Sequence, residues 1–104
     1  IDLFPDEYSL SQNFPNPFNA QTSLIIALRD DAVIDLEIYN LLGERVAVMA
    51  KSESRPSGYY TFIWNGRDRY GNPVASGVYL AYGRIKGANG KTIKSQSRKL
   101  LLVK

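Results

Sequence analysis

A chain of 104 residues, 44% of them hydrophobic, holds enough apolar surface for one packed core and one domain. It contains neither Cys nor His, so these residues supply no disulfide, thiol nucleophile, imidazole base or zinc ligand set. That excludes Ser-His-Asp, Cys-His and zinc-hydrolase chemistry and leaves catalysis by carboxylates open.

No stretch is apolar over the length needed to span a membrane, and no signal peptide is recognisable. The start at Ile1 rather than Met points to a piece of a longer polypeptide. Residues 1–12, with Pro5 and several acids, read as a linker or lead-in without sustained periodicity. The domain is expected to occupy residues 13–104. Its first segment, Asn13-Phe14-Pro15-Asn16-Pro17-Phe18-Asn19, has two prolines that fix φ and push Phe14 and Asn16 toward extended backbone. The expected role is a rigid clamp whose two Phe rings anchor an irregular segment to a sandwich edge.

Leu24, Ile26 and Leu28 alternate as the first strand. Ile34, Leu36 and Ile38 then alternate with Asp35 and Glu37, a pattern that puts the aliphatic residues inward and both carboxylates in solvent. Tyr39 to Val46 turns at Gly43 into a third strand through Val48; a helix over Asn40–Gly43 would be too short to be stable. Lys51 to Ser57 is polar, contains Pro56 and reads as a loop. In Gly58-Tyr59-Tyr60-Thr61-Phe62-Ile63-Trp64, Tyr60, Phe62 and the only Trp share one face. Asn65-Gly66, Asp68, Gly71, Asn72 and Pro73 crowd the following loop with turn residues. Val78 to Ile85 is a strand with apolar residues on both faces, and Asn89-Gly90 signals a hairpin into a last strand ending Leu100-Leu101-Leu102-Val103. Six or seven short strands separated by turns predict an all-β, immunoglobulin-like sandwich of about seven antiparallel strands.

Asn65, Asp68 and Asn72 could offer oxygens to Ca²⁺, but one carboxylate without EF-hand spacing is better explained by turn capping. The carboxylate pairs Asp30-Asp31 and Asp35/Glu37 both read as surface charge. The charge is divided along the chain: all ten acids and five bases lie in residues 1–68, whereas Arg69, Arg84, Lys86, Lys91, Lys94, Arg98, Lys99 and Lys104 follow without an acid. The split marks either a basic binding end or two halves whose fields pair. With Tyr70, Tyr79 and Tyr82 it allows stacking on nucleic acid or an anionic glycan, without any recognised nucleic-acid motif. No catalytic, metal-binding or cofactor-binding residue is assigned. Partner recognition is placed on Arg98, Lys99, Leu100, Leu101, Leu102, Val103 and Lys104. Both faces of this short strand are apolar, its ends are basic, and a partner can read such an edge by strand addition.

Several blocks resemble a known family. Gln12-Asn13-Phe14-Pro15-Asn16-Pro17-Phe18-Asn19 is similar to the QNYPNPFN opening of type A C-terminal sorting domains of the bacterial type IX secretion system. Ile38 to Val46 resembles its IYDLLGREV block. Gly58-Tyr59-Tyr60, Trp64-Asn65-Gly66-Arg67-Asp68 and Gly71 resemble GxY…WDGxDxxG, Val74 to Tyr79 resembles VASGVY, and Lys99 to Lys104 resembles the basic–apolar–Lys ending. Asn40 and Asn65 stand where Asp is usual, and Phe14 where Tyr is. The resemblance implies that Pro15, Asn16, Pro17, Phe18, Gly43, Trp64, Asp68, Gly71, Gly77 and Tyr79 are structural motif residues. It also implies a secretion and surface-sorting signal carried by a larger cargo protein. The implied partners are the translocon, an outer-membrane shuttle barrel, a sortase and the upstream cargo domain, with no nucleic acid and no membrane span. The same blocks are similar to the immunoglobulin-like domain of flagellar hook-capping proteins, which implies an assembly module instead. A glycan-binding sandwich of a secreted enzyme would require a planar cluster of exposed aromatics.

Overall fold

The alternating apolar runs become strands that stack face to face in the computed structural model, which describes residues 4–104; residues 1–3 of the expected lead-in lie outside the described residues. The strands are β1 (Ser9–Leu10), β2 (Thr22–Leu28), β3 (Ala32–Asn40), β4 (Arg45–Arg55), β5 (Gly58–Trp64), β6 (Gly77–Lys86) and β7 (Thr92–Leu102). They form a three-stranded sheet in the order β1-β2-β5 and a four-stranded sheet in the order β4-β3-β6-β7, with every strand pair antiparallel. This is an all-β immunoglobulin-like sandwich of seven strands, as expected. Leu24, Ile26 and Leu28 of β2 face Ile34, Leu36 and Ile38 of β3, and all six side chains are fully buried. Each such side chain contributes about 1.5–3 kcal/mol through burial, which is what holds the two sheets together.

β6 resolves its ambiguous pattern by turning Tyr79, Ala81, Gly83 and Ile85 inward. Gly83 is required there by space, because a Cβ would lie 3.1 Å from the Leu10 side chain. Tyr79 sits at the start of β6 and donates its hydroxyl to the Ala75 carbonyl at 2.6 Å, the tyrosine corner of this fold class. Partial burial raises the Tyr79 phenol above its ordinary range. The β3–β4 connection is a turn, not a helix: Asn40 Oδ1 accepts from the Leu42 and Glu44 amides, and Gly43 takes φ +80°. The β6–β7 hairpin closes at Asn89-Gly90 as its sequence predicts, with the Gly87 amide donating to the Lys91 carbonyl at 2.9 Å.

Four local expectations change. Lys51–Arg55 is strand rather than loop, because β4 takes its pairing from the β3 backbone and its polar side chains lie at a sheet edge. Ser9–Leu10, within the expected lead-in, pair with Ala27 and Ile26, and Leu10 is buried. Asp35 is buried instead of solvated. Its Oδ1 accepts from the Ser52 amide at 2.8 Å, where Ser52 adopts φ +47° in irregular β4, and Oδ2 lies 3.6 Å from the Arg84 guanidinium. Phe14 is 80% exposed while Phe18 is 2% exposed, so one ring anchors the clamp, not two. The cause is register: Phe14 bridges Ser23, whose side chain is on the outer side of β2.

Candidate functional site

The C-terminal strand separates its apolar residues by face. Leu100 and Leu102 complete the core, whereas Leu101 and Val103 lie outward with 36% and 49% exposure, flanked by exposed Lys99 and Lys104. Leu101 lies opposite Val78 of β6, and Lys99 opposite Leu80. Leu80 is opposite Tyr39, and Tyr39 opposite Arg45, so one outward row crosses all four strands as Arg45, Tyr39, Leu80 and Lys99. Its polar end is fixed by Glu37, which accepts from Tyr39 Oη at 3.1 Å and from Arg45 at 3.0 Å. Partial burial, then the Glu37 carboxylate beside it, raise the Tyr39 phenol above its ordinary range. A shallow groove lined by Tyr39, Leu41, Leu80, Tyr82 and Ser97 adjoins this row. The turn residues Leu41 and Leu42 rise beside it with 66% and 84% exposure. Sequence reasoning placed them only in a turn; two Leu in succession at the tip of a hairpin were the available signal.

The backbone edge of β7 in this region is already occupied. The Gln12–Phe18 segment lies along it: the Phe18 amide donates to the Leu101 carbonyl, and the Val103 amide donates to the Phe18 carbonyl, both at 2.9 Å. Asn16 Oδ1 accepts from the Leu101 amide at 3.0 Å, and Gln12 Nε2 donates to the Lys99 carbonyl at 2.7 Å. Pro15 and Pro17, each preceded by a cis peptide bond, shape the strap, and Thr22 and Asn13 hold the Pro15 carbonyl. Strand addition along Lys99–Val103 is therefore blocked in this state, because the chain's own segment supplies the hydrogen bonds. Arg98 is also committed: its Nε donates to the Leu10 carbonyl at 2.9 Å. Of the seven recognition residues expected, Lys99, Leu101, Val103 and Lys104 present side chains outward. Leu100 and Leu102 are core, and Arg98 joins the two sheets.

The other candidates separate cleanly. Asp68 Oδ1 accepts from the Tyr70 and Asn72 amides at 2.9 Å each, and Asn65 Oδ1 accepts from the Arg67 amide at 3.2 Å. These oxygens serve the loop as turn caps, with Gly71 at φ +83° between them. Among the described residues no three acidic side chains gather as a metal group. Asp31 accepts from the Ser57 amide and Asp30 from Tyr8, so the 30–31 pair tethers neighbouring segments. Tyr79 is buried against Trp64 while Tyr70 is 74% exposed, so the three tyrosines of the stacking reading do not form one platform. Gly77, at the first position of β6, has φ +151°. Among the described residues no helix is long and apolar enough to cross a membrane.

Neither a protein-family model nor a curated protein sequence matches the chain. Among solved structures it is similar to dimeric latent PorU from Porphyromonas gingivalis, with a TM-score of 0.68 at 19% identity over 95% of this chain and 10% of that one. It is similar to PorZ, a surface component of the type IX secretion system of the same organism, with a TM-score of 0.53 at 22% identity over 95% of this chain and 12% of that one. It is also similar to FlgD from P. aeruginosa, with a TM-score of 0.64 at 18% identity over 96% of this chain and 75% of that one. The chain thus spans about a tenth of the PorU and PorZ chains. At these identities the shared property is the fold: an immunoglobulin-like sandwich of the kind found within PorU, PorZ and FlgD.

Proposed function

We propose that this domain is a type A C-terminal sorting signal of a type IX secretion substrate. It is read on the cell's way out by the secretion machinery and is not itself a catalyst. The observation that carries the reading is the presentation of residues 99–104. A strap built from the sorting-type opening motif pins the backbone, and Lys99, Leu101, Val103 and Lys104 stay exposed. A receptor would then recognise side chains, apolar at Leu101 and Val103 and basic at Lys99 and Lys104, rather than a bare strand edge. Shuttle barrel, translocon and sortase are the partners in this reading, and the cargo lies upstream in the same polypeptide. The domain is then cut from the cargo at the surface, and the cargo is released or attached to anionic lipopolysaccharide.

The clean test leaves the core intact. Deleting Lys99–Lys104 removes buried Leu100 and Leu102 and the partner of Phe18, so loss of secretion would report unfolding. Instead, Lys99→Glu, Leu101→Gln, Val103→Thr and Lys104→Glu are combined in a reporter fusion expressed in a host with this secretion system. The expected result is a domain with near-normal thermal stability whose reporter stays in the periplasm. Normal surface delivery of the quadruple variant rules the reading out. The FlgD likeness favours a second reading, an immunoglobulin-like assembly module. It predicts that the unaltered fusion fails to reach the surface.

A further inference from the structure

The sandwich has four sheet edges, and three are covered or interrupted. β7 is covered along Lys99–Val103 by the Gln12–Phe18 strap, and the rest of it carries the charges Lys94 and Arg98. At β1, the Leu10 amide donates to Gln96 and the Leu10 carbonyl accepts from Arg98. β4 carries three register shifts, the charges Lys51, Glu53 and Arg55, and a bond from the Arg69 amide to the Val46 carbonyl. These are the devices by which sheet proteins avoid pairing with other chains.

β5 has none of them. Its pairing with β2 is free of register shifts, and Gly58–Trp64 contains no charge and no Pro. The direction of its free groups follows from β2. Ser23 exchanges both backbone bonds with Phe14, and Ile25 bonds Ser11 through its amide and its carbonyl. Backbone polar groups alternate along an antiparallel strand, so Leu24, Ile26 and Leu28 turn theirs toward Phe62, Tyr60 and Gly58. Tyr59, Thr61 and Ile63 must therefore point their N–H and C=O groups away from β2. No hydrogen bond among the described residues reaches those six groups. The side chains of Tyr59 and Ile63 are each 53% exposed, beside Ile25 at 41% on the same outer face.

We propose that β5 is a self-pairing edge, on which a second copy of this chain docks its own β5 antiparallel about a two-fold axis through Thr61. The side-chain order selects this occupant. In that register Tyr59 meets Ile63 of the second copy twice, and Thr61 meets its own counterpart. Aromatic with β-branched, and Thr with Thr, are favourable cross-strand neighbours, and no charge opposes the approach. Six backbone bonds close, the two sheets become one of six strands, and the outer apolar residues Ile25, Tyr59 and Ile63 of both copies adjoin. The contact is isologous, so it stops at two copies.

Sedimentation of the full 104-residue chain tests this. The weight-average mass should rise with concentration from 11.7 kDa toward twice that value and no further. Thr61→Lys sets two ammonium groups opposite each other at the axis while its side chain stays in solvent. It should raise the dimer dissociation constant by at least about tenfold with the thermal midpoint held. Because the chain lacks Cys, Thr61→Cys provides a second readout. Mild oxidation should give a covalent dimer where Ser95→Cys, exposed on β7, stays monomeric. A mass fixed at the monomer, a dimer that Thr61→Lys does not weaken, equal cross-linking of both Cys variants, or β5 binding only foreign extended peptides would each overturn the proposal.

Discussion

At Trp64, three segments remote in sequence converge. Its ring centroid is 5.7 Å from that of Phe18 in the strap and 5.2 Å from that of Tyr79 at the tyrosine corner. Its indole N–H donates to the Arg67 carbonyl at 2.9 Å, which fixes the start of the following loop. The tilted and edge-on arrangements add to simple burial, since aromatic rings favour them over stacking in register. Trp64→Ala would open a cavity under the strap, the corner and the loop together and cost about 3–5 kcal/mol. A domain of this size has about 5–15 kcal/mol of stability, and each kcal/mol shifts the midpoint by roughly 4–8 °C. Thermal denaturation should therefore show a fall of more than about 10 °C. An unchanged midpoint would mean that Trp64 does not carry the junction. The alternation Tyr60-Phe62-Trp64 made this burial legible, as it did for β2 and β3. The burial of Asp35 was not legible. Alternation gives the side of the sheet on which a residue sits, but the Ser52 amide and Arg84 that cover that side come from two other strands.

Among the elements, the strap shows most clearly how a motif acts through contacts invisible to local periodicity. Gln12 to Phe18 reads as an irregular, Pro-fixed clamp, and so it is. That its partner is the last strand, more than 80 residues away, follows only from the sandwich topology. The same limit explains β4: a polar edge strand shows no apolar alternation, so Lys51–Arg55 looks like a loop until β3 pairs with it. For β1, two residues are too few to carry a period. The strap makes a separate prediction. Asn16→Ala removes the acceptor of the Leu101 amide and the weaker donor to the Lys99 carbonyl, two exposed bonds that together contribute about 0.5–1.5 kcal/mol. Amide exchange at Leu101 should accelerate by a larger factor than at Leu36 in β3, because the strap opens locally while the core stays paired. Equal acceleration at both sites would show that the strap opens only with the whole fold.

For the whole molecule, the charge division along the sequence persists as a division of the surface. Of the four ion pairs among the described residues, Arg29–Asp30, Arg45–Glu37 and Arg55–Glu53 lie within the first 68 residues. Only Arg84–Asp35 joins the two halves, so their fields do not cancel by pairing. Lys99 and Lys104 are left at the end of β7 without an ion-pair partner among those residues, flanking the outward Leu101 and Val103. A patch of this kind acts over about a Debye length, roughly 8–10 Å at moderate salt, and so responds to local rather than net charge. Two double variants with the same formal net charge should therefore behave differently on a cation-exchange column at pH 7. Lys99→Gln with Lys104→Gln should elute at clearly lower salt than the unaltered chain. Arg45→Gln with Arg55→Gln should change elution much less, since each of those arginines already faces a carboxylate within 4 Å. Coincident elution of the two variants would mean that the basic flank has no separate existence. The side chains of Lys99 and Lys104 would then attract an anionic partner no better than any other face of the domain.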